Sequence, residues 1–219
     1  MVYCFGPADE KSGYTYGHDI LDINFEVGIG GSALRVAVID QSRDGGTGFD
    51  IPQNKGRAVS VEHFPKKILK NGPVRQISDM CRVRGFMMVS QKCKDLVEKF
   101  EPGVHQFSPV EVYWDKDEPP IGTYYFFNIC NRLDTTDREK TTWRWVEGKI
   151  SSRWTTANIE YTGNHIPHPK LVFRKWANGK AAIWCDKYLP DANMCSDAFH
   201  DATVAAGCSG IEYIHCEEV

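Results

Sequence analysis

Gly85-Phe86-Met87-Met88-Val89-Ser90-Gln91-Lys92-Cys93-Lys94-Asp95-Leu96-Val97-Glu98-Lys99-Phe100-Glu101-Pro102-Gly103 is the stretch on which the fold class turns. The run Gly85 to Val89 is apolar and short enough to enter a core as a buried strand. Ser90 then suits a helix N-cap, because its hydroxyl can accept from an orphan amide of the first turn. Cys93, Leu96, Val97 and Phe100 fall at i, i+3, i+4 and i+7, one helical face, while Lys92, Lys94, Asp95, Glu98 and Lys99 take the other. Pro102-Gly103 ends the helix. A buried strand feeding an amphipathic helix predicts mixed α+β structure.

Working outward, Val104 to Tyr113 alternates as a strand. The segment from Asp115 to Pro120 is a charged turn, and Gly122 to Ile129 returns as an aromatic strand. This is a hairpin with an acidic tip. Upstream, Phe25 to Val27, Leu34 to Ile39 and Ala58 to Val61 are short β-branched runs, separated by Gly-, Pro- and Asn-rich loops. In Pro73 to Arg84, the residues Val74, Ile77 and Cys81 fit a short helix. Downstream, Asn131 to Lys170 has no clear period. Leu171 to Trp176 and Ala181 to Cys185 flank Ala177-Asn178-Gly179, and Asn-Gly favours a tight hairpin turn. A last helix is expected from about Ser196 to Ala206, with Phe199, Ala202 and Ala206 on one face, Gly207 or Gly210 ending it, and Ile211 to His215 closing as a strand. Met88-Val89-Ser90 with its helix, Gly103 and strand is echoed by Met194-Cys195-Ser196 with its helix, Gly210 and strand. The expected fold is α+β, a mixed or antiparallel sheet with hairpins and a few flanking helices. Its β-rich N-terminal part is residues 1–75 and its α+β core residues 76–219, with one continuous domain as the alternative.

A chain of 219 residues can bury a substantial core. The net charge of −3 gives no basic footprint for nucleic acid and leaves a basic protein partner open. No cationic segment followed by an apolar run opens the chain, and no apolar stretch reaches the ~20 residues of a membrane helix. A cytoplasmic location without membrane attachment is therefore expected. The eight cysteines are scattered, with no Cys-x-x-Cys pair, and read as free thiols packed as small apolar groups. Gly28-Ile29-Gly30-Gly31-Ser32-Ala33 matches a dinucleotide fingerprint, but that chemistry needs a helix next, and Leu34-Arg35-Val36-Ala37-Val38-Ile39 is a strand pattern. His165 and His168, between prolines, lack the third ligand that zinc requires. Neither a metal nor a cofactor is expected, and no catalytic residue is assigned. Were the protein an enzyme, for instance one that hydrolysed a small molecule, His105, His165 and His168 would be the residues to inspect.

Several segments carry a family resemblance: Met88 to Phe100; Gln106-Phe107-Ser108-Pro109-Val110; Tyr124 to Ile129 leading to Leu133-Asp134-Thr135-Thr136-Asp137; and the C-terminal helix ending at Gly210-Ile211-Glu212-Tyr213. In that order they resemble the eleventh family of immunity proteins from bacterial polymorphic toxin systems, formerly a domain of unknown function. The resemblance spans about two-thirds of the chain and leaves out the first ~60 residues and Thr141 to Lys170. It implies an α+β binder without catalysis or cofactor, which neutralises a cognate toxin encoded beside it and delivered by contact-dependent or type VI secretion. A cytoplasmic immunity protein meets a toxin with a cytosolic target, and a nuclease is the first choice. The residues expected to face the toxin are Trp114, Asp115, Asp117 and Glu118 at the hairpin tip, an aromatic anchor with acidic neighbours. Asp134 and Asp137 are expected to bind the partner as well; with Glu139 they follow the second strand and should lie at the hairpin's opposite end. The alternative to such binding is an enzyme that reverses a toxin's modification or hydrolyses a small molecule.

Overall fold

The structure is a computed structural model. It describes residues 1–8, 18–20, 56–61, 64–70, 76–83, 86–147, 153–155, 170–175, 177–189 and 192–219. In chain order the elements are β1 (Val2–Pro7), β2 (His18–Ile20), β3 (Lys67–Lys70), β4 (Met80–Val83), β5 (Phe86–Val89), α1 (Gln91–Phe100), β6 (Gln106–Tyr113), β7 (Gly122–Asn128), β8 (Arg132–Leu133), β9 (Arg144–Val146), β10 (Arg153–Thr155), β11 (Val172–Phe173), β12 (Ile183–Asp186), β13 (Asn193–Ser196), α2 (Asp197–Ala205) and β14 (Ile211–Glu218). The fold is α+β and rich in strands.

The deciding stretch behaves as its pattern requires. All four residues of β5 are buried. The Ser90 hydroxyl accepts from the Cys93 amide, and α1 buries Cys93 and Val97. The helix stops at Glu101, and Gly103 takes φ +70°, a left-handed conformation that suits a residue without Cβ. β6 and β7 form the expected antiparallel hairpin, from Gln106 opposite Asn128 to Val112 opposite Gly122. In α2 the Ser196 hydroxyl caps the Phe199 amide, but the buried face is Phe199 and Thr203, with Ala206 exposed.

Two six-stranded sheets run β2-β3-β6-β7-β5-β4 and β11-β14-β1-β13-β12-β8, and β9 and β10 pair separately. β1 lies inside the second sheet between β14 and β13, far from it in sequence. That sheet curls so that Thr136, just beyond β8, bridges Phe173 of β11 at the other edge. Asp186, 3% exposed, pins the seam: its Oδ2 accepts from the Thr135 amide at 2.8 Å, the Thr135 hydroxyl at 2.7 Å and the Thr136 amide at 3.1 Å. Trp184 Nε1 donates to Thr135 Oγ1 at 3.1 Å.

Several local expectations fail. Ala58 to Val61 is not one of the strands, and the Val59 amide donates instead to Gln106 Oε1 at 2.9 Å. Cys81 belongs to strand β4, not to a helix, because Met80–Val83 pairs along its whole length with β5. The segments flanking Asn178-Gly179 do form a turn, with Gly179 at φ +61°, but not a hairpin. β11 pairs in parallel with β14, while β12 pairs with β13 and β8. Two-residue β11 could gain little from a local partner, whereas its position beside β14 buries Phe173 completely. Phe25 to Val27 and Leu34 to Ile39 lie outside the described residues.

The main core is shared by both sheets and both helices. It contains Phe5, Met80, Met87, Val89, Cys93, Val97, Phe127, Ile183 and Phe199, and α1 packs directly on α2. A second cluster, around Phe64, Phe86 and Phe126, lies on the first sheet, and a third, around Phe173, Trp184 and Met194, on the second.

Where α1 begins, Asp79 joins the two halves. Its carboxylate takes Lys92 Nζ at 2.8 Å, the Ser90 hydroxyl at 2.7 Å and the Ser209 amide at 2.9 Å. Burial alone would raise its pKa, but the hydrogen bonds from Lys92, Ser209 and Ser90 outweigh burial and hold it below the ordinary value. A depressed carboxyl pKa stabilises the fold fully above the unfolded pKa of about 4, and that contribution is lost as pH falls through the folded value. Asp79→Asn should therefore lower stability at pH 7 and flatten the acid limb below about pH 4, as read by urea unfolding across pH. Phe127→Ala, in the shared core, should cost about 3–5 kcal/mol in the same measurement.

Candidate partner-binding surface

The acidic tip is presented by a rigid hairpin. β6 alternates, burying Ser108, Val110 and Val112 while Pro109 and Glu111 stay exposed. β7 carries Phe126 and Phe127 into the cores on either side of the sheet. Pairing ends at Val112 and Gly122, and the chain between them turns in the open. Asp115 organises this turn: its carboxylate accepts from the Asp117 amide at 3.1 Å and its carbonyl from the Glu118 amide at 3.3 Å. Asp115, Asp117 and Glu118 are exposed, with Lys116 among them. Trp114 is half-buried at the root of the loop, where Lys70 Nζ lies 5.6 Å from the centre of its ring. Burial lowers the Lys70 pKa, so the amine sits in a poorly solvated spot where a ring face is a useful neighbour for it. Lys67 stands similarly over Tyr113, which donates to Glu111 Oε2 at 2.7 Å.

Asp134 and Asp137 are in a different place, in the loop after β8 at the edge of the second sheet, and they are engaged there. Asp134 pairs with Arg138 at 3.2 Å and Arg174 at 3.3 Å. The Asp137 carboxylate accepts from the amides of Glu139 at 3.0 Å and Lys140 at 2.8 Å, closing its own turn. The six candidate residues therefore form two groups on two sheets. Beside the second group lies a cluster that the sequence did not single out. The Arg138 guanidinium is 5.2 Å from the Trp145 ring and 5.0 Å from the Tyr188 ring, and those rings meet edge to face at 5.1 Å. The signal available was composition alone, since Trp, Tyr and Arg favour interfaces; the sequence separation of Arg138 and Tyr188 hid the contact.

His105 has a structural task. Its side chain is wholly buried. Nδ1 accepts from the Cys130 amide at 3.1 Å, so Nε2 carries the proton and donates to Glu101 Oε2 at 2.8 Å. The Glu101 carboxylate also accepts from the amides of Ala182 at 3.1 Å and Ile183 at 3.0 Å, and from Asn131 Nδ2 at 2.8 Å. Both ring nitrogens are engaged, and neither bonds the Cys130 thiol. Burial pushes the Cys4 thiol up to about 11 and the Cys81 thiol to about 12, and it also raises Cys93, Cys130, Cys195, Cys208 and Cys216. These are packed thiols, not activated nucleophiles. His165, His168 and the run Gly28 to Ala33 lie outside the described residues. Among the described residues, no group of three His, Cys, Asp or Glu side chains could hold a metal ion, and no helix is long and apolar enough to cross a membrane.

No curated protein matches the chain. A family model, the Immunity protein family (Imm11), matches residues 21–218. The match is wider than the segments that carried the resemblance: it includes Thr141 to Lys170 and reaches well into the first sixty residues. Matched over nearly its whole length, the chain belongs to the Imm11 immunity protein family.

Proposed function

We propose that this immunity protein neutralises its toxin by stoichiometric binding in the cytoplasm, with the β6–β7 tip in the contact. What supports this is the exposed loop of Asp115, Asp117 and Glu118 beside the half-buried Trp114, on a hairpin rooted in two cores. Side chains held on a rigid support lose little entropy on binding. The three carboxylates suit a basic surface, which a nuclease presents wherever it grips phosphates. Acidic groups at the rim would speed encounter, and the aromatic ring would supply the buried anchor. Lasting protection calls for nanomolar affinity, about −12 kcal/mol, from an interface of about 1,600 Å².

The test is co-expression with the product of the adjacent open reading frame, followed by size-exclusion chromatography. A single one-to-one peak is expected, and two separate peaks would sink the proposal. With the complex in hand, Trp114→Ala should weaken binding by about 2 kcal/mol, roughly thirtyfold. The triple change Asp115→Lys, Asp117→Lys, Glu118→Lys should slow association at least tenfold and reduce its dependence on salt. Titrating toxin activity with immunity protein should end sharply at one equivalent; protection far below one equivalent would mean turnover instead of occlusion.

A further inference from the structure

Five strands of the first sheet, in the order β3-β6-β7-β5-β4, correspond to five of the second, β11-β14-β1-β13-β12. The sense of every pairing agrees. β3 and β6 are parallel, as are β11 and β14. The pairs β6–β7, β7–β5 and β5–β4 are antiparallel, as are β14–β1, β1–β13 and β13–β12. In each set one helix connects the same two strands, α1 from β5 to β6 and α2 from β13 to β14.

The correspondence extends to single residues. A constant 106 residue numbers separate the N-caps Ser90 and Ser196, the amides they cap on Cys93 and Phe199, and the buried Val97 and Thr203. The same difference relates Val89 to Cys195 and Pro109 to His215. Tyr125 sits opposite both Val89 and Pro109, and Tyr3 sits opposite both Cys195 and His215. Tyr125 and Tyr3 thus match from two independent neighbours. Over Tyr125, at 4.3 Å, lies Lys94 Nζ; on Tyr3, with ring centres 4.0 Å apart, lies His200, again 106 numbers on. Lys94 also approaches Phe107, and His200 approaches Tyr213, the corresponding ring.

The contacts between the sets are reciprocal. The residue ending α1, Glu101, accepts from the amides of Ala182 and Ile183 at the start of β12. Ser209, just after α2, accepts from the amides of Asp79 and Met80 at the start of β4. The end of each helix thus meets the start of the corresponding strand of the other set, though through residues that are not themselves equivalent, and this placement is that of an isologous, twofold arrangement.

We propose that the protein is an internal duplication of one β-β-β-α-β-β unit, with its second copy circularly permuted. Residues 67–128 are the first copy. Residues 172–218 supply all of the second except its last strand, which residues 2–7 provide from the other side of the sequence. The loop Trp114–Ile121, which joins β6 to β7, has its counterpart at the gap between β14 and β1. The tip proposed to meet the toxin is therefore a feature of one copy only.

The test exchanges the roles of the two copies. Val219 is joined to Met1 through a duplicate of Trp114–Ile121, and the resulting ring is opened between Lys116 and Asp117. A control ring is opened between Gly179 and Lys180, an exposed turn within the second copy. Thermal melts are followed by circular dichroism. The chain opened at the tip should melt cooperatively within about 5 °C of the natural chain and above the control. Absence of a cooperative melt, a larger drop, or a melt no higher than the control's would overturn the duplication.

Discussion

The structure depends on the carboxylate of Glu101. It is 8% exposed, and four donors converge on it: two backbone amides of the segment entering β12, the Asn131 amide group and the His105 ring. A buried carboxylate is tolerable only when it is fully hydrogen-bonded, so these donors must arrive together. In doing so they fasten the end of α1 to the far sheet and fix the tautomer of His105. At the other end of α1, Asp79 ties the helix to the loop after α2. Between these polar clasps lies an apolar core common to both sheets, so neither half has a complete interior without the other.

This construction separates what holds the molecule together from what it can offer a partner. The polar side chains that drew notice as chemistry, His105 and the cysteines, are absorbed into packing. The groups left at the surface are the exposed acidic turn beyond Val112 and Arg138, which lies over the partly buried rings of Trp145 and Tyr188. An immunity protein that works by occlusion needs such a division, because a surface that changes with its toxin must not disturb the core.

Much of the local structure was legible. The amphipathic helix with its Ser90 N-cap, the start of the last helix near Ser196 and the β6–β7 hairpin follow from patterns within about a dozen residues. The echo of Met88-Val89-Ser90 in Met194-Cys195-Ser196 marked a true structural correspondence. The failures were also local patterns, read too far. Asn178-Gly179 does make a turn, yet its flanking segments pair elsewhere. Of the candidate acids, the tip residues stand exposed, while Asp134 and Asp137 are engaged by arginines and amides of their own loop. Exposure of a carboxylate depends on neighbours that sequence distance conceals, Arg174 among them.

By itself, the sequence determined the two helices and where they start, the buried strand β5, the β6–β7 hairpin and the closing strand β14, and that the net charge is small. These depend on side-chain periodicity and on single capping hydroxyls, which act over one or two turns. Only the tertiary structure decided that β1 sits between β13 and β14, that Glu101 closes on β12, and that two units face each other reciprocally. Backbone hydrogen bonds between strands are much the same whatever the side chains. The choice of partner is therefore made by the apolar surface that the whole assembly buries, a quantity no local stretch contains.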